Sequence, residues 1–115
     1  MSEIGLFIGN LMDRTRIRDH LKQQGYQVTA LSTMEELVEF LQSHPQGLII
    51  ADLVDLEKKV ELNHPAVKTA GQRILGFFPH VRTDVLDKMK KAGIDHCYPR
   101  SKFFADFDQL FSQFS

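Results

Sequence analysis

The run Gly47-Leu48-Ile49-Ile50-Ala51-Asp52-Leu53 constrains the fold more than any other stretch of this chain. It is apolar without alternation until one carboxylate interrupts it. A strand that is apolar on both faces is covered on both faces, as in a parallel sheet held between helices. The rest of the sequence supplies matching parts. Ile4-Gly5-Leu6-Phe7-Ile8 is a first strand ending near Gly9-Asn10, Tyr26 to Leu31 alternates as a second, Ile74 to Phe78 is a fourth, and Ile94 to Tyr98 is a short fifth. Helical patterns lie between them. Ile17 and Leu21 are four apart in a segment from Asp13 to Gln24, with Gly25 at its end. Thr33 and Glu36 form a capping box for a helix that buries Leu37, Phe40 and Leu41 and stops at His44-Pro45. The stretch after Asp52 suits a short helix through Leu56, Val60 and Asn63 that Pro65 interrupts or ends. Thr83 can cap a helix from Asp84 to Ala92, closed by Gly93. Phe107, Leu110, Phe111 and Phe114 mark a last helix from Asp106. Strands alternating with helices predict one α/β domain over residues 1–115, with helices on both faces of a parallel sheet.

Charge and composition remove several function classes. The formal net charge is −1, which leaves no broad positive field for nucleic acid or an anionic membrane. One cysteine excludes an internal disulfide and a cysteine-cluster metal site; Cys97 reads as a buried, unreactive thiol. The five histidines show no metal-ligand spacing, so no metal residues are assigned. Met1-Ser2-Glu3-Ile4 has no basic leader and no apolar run is long enough to span a bilayer, so a cytoplasmic protein is expected. No phosphate-binding loop, serine elbow or Cys–His pair is visible, so the chain is not expected to be an enzyme.

Three landmarks resemble a response-regulator receiver domain, the CheY-like family, over essentially the whole chain. Helix one ends in Gly25-Tyr26. Leu48-Ile49-Ile50-Ala51-Asp52 is similar to the third strand and its phospho-acceptor aspartate. Gly93-Ile94-Asp95-His96-Cys97-Tyr98-Pro99-Arg100-Ser101 is similar to the Gly-Ala-x-x-Tyr-x-x-Lys-Pro segment around strand five. The resemblance implies a flavodoxin-like (βα)5 fold with strand order 2-1-3-4-5, and it makes Asp52 the acceptor equivalent.

The pocket that the resemblance implies is degenerate. The acidic pair that holds Mg²⁺ after strand one is replaced by Gly9-Asn10, and Asp13 lies nearby, in a first helical turn. The strand-four hydroxyl aligns with Phe78, the strand-five lysine with Arg100, and the proline after it with Ser101. Asp52 admits three readings: a phospho-acceptor in a rebuilt pocket, a structural anion paired with Arg100, or a solvated strand end. The pair with Arg100 is favoured, because a buried unpaired carboxylate is costly. His80, after Pro79 in the loop that follows strand four, is either an ordinary loop residue or part of an anion-binding rim with Arg82, Arg100, Ser101 and Lys102.

Phe103 and Phe104 are adjacent, so both cannot face one helix stripe. One of them is expected on the surface formed by the fourth helix, fifth strand and fifth helix, as an aromatic anchor for a partner or for a second copy. The expectation is a stand-alone pseudo-receiver: a phosphorylation-independent interaction module without an output domain, acting through a protein partner and without a cofactor. One alternative is a working phospho-receiver that accepts phosphate on Asp52 and uses Mg²⁺ through Asn10 and Asp13. Another is a sensor of a small anionic ligand at the carboxyl edge of the sheet.

Overall fold

Each apolar run becomes a strand in the computed structural model, which describes residues 3–115. The strands are β1 (Glu3–Phe7), β2 (Gln27–Ala30), β3 (Leu48–Asp52), β4 (Ile74–Phe78) and β5 (His96–Pro99). They form one parallel sheet in the order β2-β1-β3-β4-β5. This is the flavodoxin-like arrangement, with the apolar β3 at its centre.

The helices are α1 (Leu11–Gln23), α2 (Met34–Ser43), α3 (Leu53–Lys59), α4 (Pro65–Thr69), α5 (Thr83–Lys91), α6 (Arg100–Ala105) and α7 (Phe107–Phe114). A side chain every second residue along a strand points to the same face, and this divides the interior into two cores. Ile4, Leu6, Ile8, Ile50, Leu75 and Phe77 meet Ile17 and Leu21 of α1, Phe103 of α6 and Phe111 of α7. Phe7, Ile49, Ala51, Ile74 and Phe78 meet the helices on the opposite face, through Leu37, Phe40, Leu53, Leu56, Val67, Val85 and Met89.

Local chemistry explains most boundaries. Asn10 caps α1 by accepting from the Asp13 N–H, and the Thr33/Glu36 capping box opens α2. Gly25, with φ at +92°, and Gly93, at +85°, take the left-handed conformation that turns the chain after α1 and α5.

Four details differ from the sequence reading. The helix after Asp52 ends at Lys59, so Val60 only caps it and Asn63 lies beyond it, while the Asp52 carboxylate caps its start. Pro65 starts α4 instead of ending a helix: it occupies the first turn, where its missing N–H costs nothing, and His64 caps it. Thr83 is the first residue of α5, and the capping position falls on Arg82, with no side-chain cap bond. The last helix begins at Arg100 and breaks at Asp106, whose φ of −116° and ψ of 25° leave the helical region.

Candidate functional site

The carboxyl ends of β1, β3, β4 and β5 converge on Asp13, Asp52, Asp55 and Arg100. Asp52 is half-buried at the end of β3. Its Oδ1 accepts the Val54 N–H at 3.0 Å, which caps α3. Burial pushes its carboxyl above the ordinary value, and the negative charge of Asp55 adds to this; backbone N–H groups of Val54 and Asp55 and the more distant Arg100 oppose it.

Arg100 does not pair with Asp52, which corrects the favoured reading. Its guanidinium forks onto Asp13, with Nη1 donating to Oδ2 at 2.7 Å and Nη2 donating to Oδ1 at 2.6 Å. Asp13 was expected only near the pocket, yet it is 8% exposed and is the one buried charged side chain among the described residues. Its hydrogen bonds to Arg100 raise the guanidinium further above its ordinary value, against the effect of burial. The reason for this choice of partner is topological. Asp13 on α1 and Arg100 on α6 share one face of the sheet, whereas Asp52 is drawn to the N-terminus of α3, which packs on the other.

The remaining expected positions separate. Gly9 donates its N–H to Asp55 Oδ2 at 2.8 Å, and Asn10 spends its Oδ1 on the Asp13 N–H at 3.0 Å. Phe78 does not enter the pocket. It points into the opposite core, and its neighbour Phe77 lies opposite Asp52 in the ladder and beneath the Arg100 guanidinium. His80 and Ser101 are exposed. The basic rim is largely occupied by its own acids. Arg82 forks onto Asp84 with two bonds of 3.0 Å, which holds the Asp84 carboxyl down to about 2, and Lys102 reaches Asp106 at 3.4 Å.

Phe103 is fully buried against Phe77, with ring centroids 4.9 Å apart, which removes it as an interface candidate. Phe104 is half-buried and turns toward α1, not toward the side of α5 as expected. Guanidinium groups of Arg16 and Arg100 each lie 4.8 Å from its ring centroid. Beside it, the break at Asp106 opens a groove of about 590 Å³ between α1 and α6–α7, lined by Arg16, Ile17, His20, Phe104 and Phe107 among others. Cys97 donates its S–H to the Ile94 carbonyl at 3.2 Å, and burial pushes its thiol up to about 12.

No family model matches this sequence, and no curated protein matches it. Solved structures do. FixJ-N superposes with a TM-score of 0.70 at 12% identity, over 99% of this chain and 93% of that one. A response regulator from Thermotoga maritima gives 0.66 at 16% identity, over 97% and 98%. The beryllofluoride-activated NtrC receiver domain gives 0.56 at 14% identity, over 99% and 97%. The fold is that of a response-regulator receiver domain.

The receiver fold implies a divalent cation beside the aspartate of β3, and the residues here do not fit one. Gly9 brings no side-chain donor atom. The Asn10 oxygen caps α1, both Asp13 oxygens hold Arg100, and one Asp55 oxygen holds the Gly9 N–H. Among the described residues, no three His, Cys, Asp or Glu side chains are grouped to hold a metal ion. Asp55 was missed by the sequence reading. The signal was present, since an acid three residues after a capping aspartate is the capping-box spacing, although its carboxylate crosses to the β1 loop instead of folding back.

Proposed function

We propose that this chain is a receiver-like signalling module that works without phosphorylation of Asp52 and acts by binding a protein in the cytoplasm. On this reading it is not an enzyme. The fold supports the coarser part, a response-regulator-like module, and no helix among the described residues is long and apolar enough to cross a membrane. One observation carries the finer part. The strand-five cation is committed to Asp13, and Asp52 is committed to capping α3, so the acceptor equivalent has neither a paired cation nor a set of free metal donors beside it. Phosphoryl transfer to a carboxylate needs positive charge at the transferring oxygens, and the strand-five cation that would supply it is engaged by Asp13.

The test is intact mass after incubation with acetyl phosphate and Mg²⁺. No adduct is expected. A stoichiometric phosphoryl adduct that disappears in Asp52→Asn would overturn the reading and establish a working phospho-receiver instead. The anion-sensor reading has less support, because an incoming anion must displace Asp13 from Arg100 or Asp84 from Arg82. A second copy of the chain is one candidate partner. Light scattering after gel filtration gives the answer, since a dimer mass identifies the copy and a monomer mass excludes it.

A further inference from the structure

We infer that Arg100, clamped by Asp13, is the built-in cation of this pocket: it stands in place of a divalent ion, fastens α1 to α6, and is withheld from Asp52. The inference rests on the same pocket as the proposed function, but it concerns what holds the pocket together.

The geometry is that of a latch. The two residues are 87 positions apart, and both guanidinium Nη atoms meet both carboxylate oxygens, the planar fork that lysine cannot make. The acid is fixed from behind, because Asn10 Oδ1 holds the Asp13 N–H. The base is fixed by rings, since its guanidinium carbon lies 5.5 Å from the Phe77 centroid and 4.8 Å from that of Phe104. Pulling Arg100 away would leave a carboxylate that is only 8% exposed without a counter-charge.

The arrangement is also a competition. One guanidinium lies within range of two carboxylates. Asp13 has it, while Asp52 feels it only as the weakest of the influences on its ionisation and has Asp55 as a repelling neighbour. Of the oxygen atoms that could otherwise hold a dication, Asn10 Oδ1, Asp52 Oδ1 and Asp55 Oδ2 accept backbone N–H groups, and both Asp13 oxygens hold Arg100. Loss of the Asp13 charge therefore hands the cation to Asp52.

The experiment is solution NMR on the full chain, in three measurements. Titration of wild type with millimolar MgCl₂ should leave the Gly9, Asn10, Asp13 and Asp52 amides in place. The Arg100 guanidinium protons should be visible through slow exchange in wild type and should shift in Asp13→Asn as the cation changes partner. The Asp52 carboxyl midpoint should move to lower pH in Asp13→Asn and return toward the wild-type value when Arg100→Met is added. A merely structural pair would not move the Asp52 titration in that order. Saturable Mg²⁺ shifts around Asp52 in wild type overturn the inference, and so does an Asp52 midpoint that is equal in wild type and Asp13→Asn. The Mg²⁺ titration and the guanidinium spectrum need no variant, so a poorly folded Asp13→Asn leaves the inference open to refutation. A phosphoryl adduct on a chain whose guanidinium spectrum shows the latch closed would sink the proposed function alone.

Discussion

Asp13, in the first turn of α1, and Asp52, at the end of β3, stand at the same carboxyl edge of the sheet. On the face covered by α1 and α6, an acid is buried, forked by a guanidinium and backed by aromatic rings. On the side of β3 and α3, an acid is half-buried, capped onto its own helix and crowded by a second carboxylate. The difference shows that charge in this pocket follows the helices and not the strands. An acid whose helix shares a face with α6 obtains Arg100. An acid that starts a helix on the other face does not.

The comparison can be broken at three levels. The largest effect should come from removing the aromatic support on the Arg100 side. Phe103→Ala should cost about 3–5 kcal/mol, as a fully buried ring does, whereas the half-buried Phe104→Ala should cost roughly 1 kcal/mol. Urea melts of both variants measure this, and equal losses would mean that the two rings play the same part. The next effect is the charge pairing itself. A double-mutant cycle on Asp13→Asn and Arg100→Met should give a coupling of about 1–3 kcal/mol, between the values for exposed and enclosed pairs. The same cycle on Asp52→Asn and Arg100→Met should give under about 0.5 kcal/mol, and the reverse order would restore the Asp52–Arg100 pair.

The smallest effect is the pH dependence of Asp52. Its folded value is raised, so its contribution to stability is fully present below the ordinary carboxylate value and is lost as pH rises through the folded value. Asp52→Asn removes that loss and keeps the cap on α3, because asparagine caps as well as aspartate does. The variant should equal wild type in stability near pH 3 and exceed it at pH 7. A variant less stable than wild type at pH 7 would show that Asp52 is held as an anion by a partner in the fold.

Much of the fold was legible because it depends on local pattern. The unbroken apolar run of β3 announced a strand covered on both sides, and Gly25, Gly93 and the Thr33/Glu36 box marked turns and caps at their actual places. The segment after Asp52 was harder to read. Pro65 is equally a stop signal and a first-turn residue, and only the fold around it shows that it opens α4. At Phe103-Phe104 the spacing required the rings to diverge, but it could not say that the outer one would turn toward α1 and lie between two arginines.

By itself, then, the sequence determined the order of the five strands, the apolar stripes of the strands and of the longer helices, and the loss of strand-one acids, since all three are written in neighbouring residues. The partner of Arg100 was decided only by the tertiary structure. Asp13 and Asp52 are both acids of the right type in the right region, and no local pattern ranks them. The ranking comes from which face of the sheet each residue's helix packs against, and that is settled by the burial of Ile17, Leu21, Phe103 and Phe111 in one core and of Leu53 and Leu56 in the other.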